Sequence, residues 1–154
     1  MKPSHHIIIS GCVSLGYQAA MHSWPATAGC FLSGVLIDVD HYWEYYVHQK
    51  KFPFRYKDLV NFCIPNKDGK VYLIFHAYEY LLAFWLLIYM LHLGVVWVGI
   101  ALGLTVHLIL DQIFNPIKPL FFFITYRIKH RFQKSKILEF SKFLDEGNSM
   151  APTV

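Results

Sequence analysis

A chain of 154 residues has room for one domain and a short tail. Its composition, 55% apolar and 18% aromatic with only 16% charged, lies outside the usual soluble range, and three cysteines (Cys12, Cys30, Cys63) without a CxxC spacing argue against a disulfide scaffold. The net charge of +4 comes from basic residues beside apolar segments rather than in a recognition motif, which points to a membrane surface and away from nucleic acid.

Residues 3–37 contain no Asp, Glu, Lys or Arg, a run of 35. A single crossing needs roughly 20 apolar residues, so this length suits two helices and a turn. Trp24-Pro25 divides it, predicting helices over about residues 5–22 and 25–47. The first run has no small-residue cleavage site and is not expected to be a signal peptide. Ala26, Ala28, Gly29, Ser33 and Gly34 let the second helix approach a neighbour closely in lipid.

Residues 48–70 form a long polar segment that mixes Lys50, Lys51, Arg55 and Lys57 with Phe52, Phe54 and Tyr56, a combination suited to headgroups. Residues 80–110 are again free of charge, a run of 31 that divides at His92-Leu93-Gly94. Helices over about residues 71–91 and 95–114 are predicted there, stopped by Asn115-Pro116 and Pro119. The tail from about residue 121 to residue 144 is basic and aromatic, with too short an apolar stretch to cross, and is expected to lie in the interface.

The expected fold is all-α: a polytopic membrane four-helix bundle of two hairpins over residues 1–120, with an interfacial basic C-terminal helix and tail over residues 121–154. All fourteen basic residues (Lys2, six from Lys50 to Lys70 and seven from Lys118 to Lys142) avoid the turns at Ser23-Trp24 and His92-Leu93-Gly94. The positive-inside rule then puts both termini at the cytoplasmic face of a multi-pass protein. The alternative is an unusually apolar soluble helical domain.

In an up-down-up-down bundle the start of the first helix, the end of the second, the start of the third and the end of the fourth share one level. His5 or His6, Asp38 with Asp40 and His41, His76 with Glu79, and His107 with Asp111 fall at those four ends. His107 and Asp111 are four apart, and His76 with Glu79 and Asp38 with His41 three apart, so each pair is expected on one helix face. Such residues are costly in a membrane bundle and usually mark function. The candidate metal ligands are His6, Asp38, His41, His76, Glu79, His107 and Asp111, enough for one or two ions; whichever of Glu79 and Asp40 does not ligate is the candidate general base. Glu44 and His48 are expected at a solvated helix end, His22 and His92 at the opposite interface, and Tyr42, Trp43, Tyr45 and Tyr46 in an aromatic belt.

Gly34-Val-Leu-Ile-Asp38-Val-Asp40-His41, an early histidine, His76-Ala-Tyr-Glu79 and Gly103-Leu-Thr-Val-His107-Leu-Ile-Leu-Asp111 resemble bacterial inner-membrane proteins described as membrane-bound metal-dependent hydrolases, including the family called LexA-regulated or LexA-binding. The resemblance spans about residues 5–115. Where many of those proteins carry a proline before the first Asp, this chain has Ile37. The His-x-x-x-Asp pair on a helical scaffold is more distantly similar to zinc-dependent phospholipase C, which implies phosphoester substrates.

A mixed histidine and carboxylate set suits zinc, manganese or iron. The expected function is hydrolysis at the cytoplasmic surface of the bacterial inner membrane by metal-activated water, on a phosphoester or lipid-like substrate held by the basic segments. The rival readings are a di-iron oxidase and a non-enzymatic membrane protein with a structural metal or polar knot.

Overall fold

The computed structural model describes residues 3–53, 58–59, 62, 69–115 and 117–138. It is 75% helical and has no strand among the described residues, as an all-α chain should; pairing is limited to isolated bridges, Lys70 with Gln133 and Ile117 with Leu138. The helices are α1 (Pro3–Met21), α2 (Trp24–Leu36), α3 (Val39–Gln49), α4 (Tyr78–Met90), α5 (Val95–Phe114), α6 (Ile124–Lys129) and α7 (Lys134–Ile137), with a 3-10 turn at Pro119–Phe122. Arg55, Lys57, Phe54, Tyr56, Cys63 and Lys142 lie outside the described residues. The chain divides into two units, one of residues 1–39 and 75–115, the other of residues 40–74 and 116–154.

In the first unit the turns fall where proline and glycine place them. Pro25 occupies the first turn of α2, where a missing N–H costs nothing, and His22 closes α1 in the left-handed region at φ 50°. His92 does the same after α4 at φ 49°, and Gly94 precedes α5. Among the described residues, α5 alone is long and apolar enough to cross a membrane. At 13 residues each, α2 and α4 are shorter than the sequence suggests.

The first difference has a local cause and the second a distant one. The helix predicted over residues 25–47 breaks at Ile37-Asp38 into α2 and α3. Asp38 immediately precedes α3, a position that favours a short oxygen-bearing side chain over the helix interior. The helix predicted from residue 71 begins only at Tyr78, because the backbone of residues 71–73 is claimed elsewhere. The Glu44 carboxylate accepts the N–H groups of Tyr72 and Leu73 at 3.1 and 3.3 Å, and Arg127 Nη1 donates to the carbonyls of Tyr72 and, at 2.7 Å, Leu73. Val71 N–H donates to the Phe132 carbonyl at 3.0 Å.

Those contacts form the core of the second unit. Arg127, Lys134 and Glu44 are all buried, so the expectation of a solvated Glu44 is overturned. Burial pushes the Glu44 carboxyl above its usual range, against the Tyr72 and Leu73 N–H groups and Lys134, which pull it down. Lys134 Nζ donates to the Phe62 carbonyl at 3.1 Å and lies over the Phe62 ring, which also meets Tyr45 edge-on at 5.2 Å. Tyr45 is therefore buried rather than part of an aromatic belt, while Tyr42 and Trp43 are exposed. The continuous interfacial helix expected from residue 121 is replaced, over its described part, by α6, a turn at residues 130–132 and α7. Consecutive left-handed residues, Arg131 and Phe132, make that turn.

In the first unit, helices pack through rows of small residues four apart. Ser14, Ser10 and His6 lie along α1; Ala26, Cys30 and Gly34 along α2, with Asp38 next in register; Gly99, Gly103, His107 and Asp111 along α5. Rows at this spacing interdigitate in the commonest helix packing, and small residues let backbones touch. A Cβ added at Gly103 would overlap the Cys30 carbonyl oxygen and Ser33 Oγ, and one at Gly99 would stand 2.5 Å from the Ala26 carbonyl oxygen. Ser33 Oγ donates to the Ile100 carbonyl at 2.9 Å, and Tyr17 Oη to the Val95 carbonyl at 2.8 Å. Gly103→Val should therefore separate α2 from α5, costing about 1–3 kcal/mol or more. A thermal melt of the detergent-purified protein checks this, and the same variant should lose affinity for metal.

Candidate metal centre

The three small-residue rows end together in polar side chains. Asp111 and His107 close the α5 row, Asp38 the α2 row and His6 the α1 row, and His76 comes from the segment just before α4. Each donor thus sits where backbone packing has already been fixed by contacts one or two turns away.

Asp38, His76, His107 and Asp111 each present one donor atom, and the four atoms lie within 4.8 Å of one another. His107 Nε2 is 3.4 Å from both Asp38 Oδ1 and Asp111 Oδ2, and His76 Nε2 is 3.8 Å from the same two oxygens. Hydrogen bonds between such groups are shorter, about 2.7–3.2 Å. Two ligands on a tetrahedral zinc, with bonds of about 2.0–2.1 Å, stand roughly 3.3–3.5 Å apart. The two 3.4 Å separations match ligands sharing an ion, and the two 3.8 Å separations are a few tenths of an ångström wider.

The supporting contacts orient the donors the same way. His107 Nδ1 is 2.7 Å from the Gly34 carbonyl oxygen, which can only accept, so Nδ1 carries a proton and Nε2 is the nitrogen that would face an ion. Nε2 is buried and makes no hydrogen bond among the described residues. The same contact serves a carbonyl in the last turn of α2, where helical partners run out. On Asp111, Oδ1 accepts from Asn115 Nδ2 at 2.7 Å and from His6 Nε2 at 3.1 Å, and Oδ2 is the oxygen within the four-atom group. A ligating imidazole whose other nitrogen donates to a carbonyl, and a ligating carboxylate whose other oxygen is hydrogen-bonded, are the usual outer contacts of a metal site.

Charge points in the same direction. His76, His107 and Asp111 are buried, and the described residues of this unit include no Lys or Arg. A divalent ion would match the charge of two carboxylates set beside these imidazoles. The Asp38 side chain keeps 24% exposure and marks the side that water reaches.

The other candidates lie outside the four. His6 is buried, stacks on the His107 ring at 4.0 Å and spends Nε2 on Asp111, whereas His5 is exposed. Glu79, in the first turn of α4, is half-buried. His76 precedes that helix, so the pair does not share a helix face as its spacing suggests. Asp40, buried, and His41, half-buried, belong to α3 in the second unit. His107 and Asp111 do converge from one helix face. The roles of Asn115 and of the Gly34 carbonyl are absent from the sequence reading; the four-residue step from Asp111 to Asn115 is the one signal that points to the first.

His107→Ala should abolish metal binding by the purified protein, His130→Ala should leave it intact, and His6→Ala should weaken it about 10–100-fold as the loss of an outer contact does; metal titration against a competing chelator distinguishes the three. No protein-family model, curated protein or solved structure matches the chain.

Proposed function

We propose that this protein is a membrane-embedded, metal-dependent hydrolase. The single observation that carries the reading is the four-atom group of two imidazole nitrogens and two carboxylate oxygens, with His107 Nε2 left available by the bond from Nδ1 to Gly34. A bound divalent transition ion, with zinc the best match to this donor set and manganese or iron also compatible, would lower the pKa of a coordinated water and polarise a phosphoryl or carbonyl oxygen. Buried His76, His107 and Asp111 and the part-exposed Asp38 would hold such an ion. Asn115 and His6 bond Asp111 Oδ1, which leaves Oδ2 facing the other three donors. Glu79, three residues beyond His76, is the proposed proton acceptor for the attacking water.

The bilayer part of the proposal rests on α5 and on the surface of the first unit. Ile8, Leu15, Trp24, Leu32, Leu82, Leu86, Met90, Ile109 and Ile113 are all exposed, spread over α1, α2, α4 and α5. An apolar exterior on every helix matches hydrocarbon better than water. We read the unit as a multi-pass bundle in a bacterial inner membrane, with the metal end cytoplasmic by the distribution of Lys and Arg. The sequence resemblance to membrane-bound metal-dependent hydrolases and to zinc-dependent phospholipase C supports a phosphoester or lipid-like substrate.

One observation favours a second reading. Four protein ligands can close a tetrahedral shell, as in structural zinc sites, and the protein would then be a non-enzymatic membrane protein. Full-length protein in nanodiscs separates the two, by elemental analysis followed by assays on a chromogenic phosphodiester and on phospholipid. The hydrolase reading predicts stoichiometric metal, turnover lost with Asp111→Asn, and a kcat lowered about 10²–10⁴-fold in Glu79→Gln with metal content unchanged. Metal without turnover supports the structural site, and protein that binds no metal contradicts both.

A further inference from the structure

We propose that the second unit seats on anionic phospholipid headgroups through a surface whose described residues expose cations and no carboxylate. The inference is independent of the metal reading and rests on the proposed function only in placing the chain at a bilayer. Charge is divided by unit: the described residues of the first include no Lys or Arg, and every described Lys and Arg lies in the second. Lys50, Lys51, Lys70, Lys129, Arg131 and Lys136 are exposed there. The acids are withdrawn, since Asp40 and Glu44 are buried and Asp58 is half-buried, so no described carboxylate of this unit is exposed.

The fold gathers these cations from separate stretches. Lys70 pairs with Gln133 in a bridge, and Lys134 N–H donates to the Gly69 carbonyl at 2.9 Å, which sets Lys70 against the turn that carries Arg131. Lys118 Nζ donates to the Lys136 carbonyl at 2.7 Å, adding a second approach to the same stretch. The buried Arg127 and Lys134 take no part in the surface; Arg127 donates to the Tyr72 and Leu73 carbonyls and Lys134 to that of Phe62.

The choice of a lipid surface follows from what adjoins the cations in the chain. Phe52 follows Lys51 and Ile128 precedes Lys129, and both are exposed, at 66% and 57%. Apolar and aromatic side chains beside Lys and Arg match the headgroup boundary, where stems and rings enter the apolar layer while the charges meet phosphate. A site for free phosphate would need only the charges. Each Lys or Arg near an anionic membrane adds attraction that salt weakens.

Hydrogen exchange on the full-length protein tests the proposal, in nanodiscs of phosphatidylcholine and in nanodiscs enriched in phosphatidylglycerol. The amides of residues 124–138 should exchange about fivefold or more slowly in the anionic discs. High salt should remove the difference, and so should the combined K70E, R131E and K136E substitutions. Equal exchange in the two discs overturns the proposal, as does a triple variant that keeps the difference, or inorganic phosphate that reproduces the slowing in phosphatidylcholine. Exchange in α5 is read in parallel: slow exchange in every disc supports the embedded bundle, and fast exchange there contradicts the membrane reading while leaving the lipid comparison to decide the headgroup proposal.

Discussion

The close approach of α2 and α5 is the constraint on which the candidate site depends. The two helices meet along Ala26, Cys30 and Gly34 on one side and Gly99 and Gly103 on the other, near enough that a single methyl group at Gly103 would collide with backbone. Because small residues recur at every fourth position, the contact persists for two turns and delivers both helices to the same end in register. There His107 reaches the Gly34 carbonyl across the gap, which requires that the gap be narrow. Asp38 and His107 come within 3.4 Å for the same reason. Packing of this kind and the bond from Ser33 Oγ to the Ile100 carbonyl hold the two helices together, and neither would depend on water if the bundle lies in the bilayer proposed for it.

The second organising fact is where charge goes. The first unit keeps three described acids and no Lys or Arg, and two of its acids stand together with imidazoles in a site that is largely buried. The second unit buries Glu44 and Arg127 around the backbone of residues 72–73, buries Lys134 as well, and exposes Lys50, Lys51, Lys70, Lys129, Arg131 and Lys136. One pair of carboxylates stands among imidazoles and could hold a metal, and the other buried carboxylate accepts from backbone N–H groups. The same residue type carries a candidate function in one unit and structure in the other, and the difference is what lies within hydrogen-bonding reach.

Much of the first unit was legible from the chain. The charge-free runs, Pro25 and Gly94 located the turns, and the helix over Val95–Phe114 falls where its apolar run predicts. The convergence of Asp38, His76, His107 and Asp111 followed from placing helix ends at one level, which needs only helix order and alternating direction. The late start of α4 was hidden, because it depends on distant partners: nothing local at residues 71–77 says that Glu44 and Arg127 take up that backbone. Glu44 looked like the end of a solvated helix since its burial is a tertiary property. His6 could be recognised as belonging near the site, but its bond to Asp111 is a matter of ångströms that spacing alone does not specify.

The account stands most directly on what surrounds the metal, and X-ray absorption on the zinc-loaded, full-length protein reports that. The predicted spectrum has a first shell of mixed nitrogen and oxygen at about 2.0–2.1 Å, with outer-shell scattering from two imidazoles, those of His76 and His107. A shell of oxygen alone, or one containing sulfur, would contradict it.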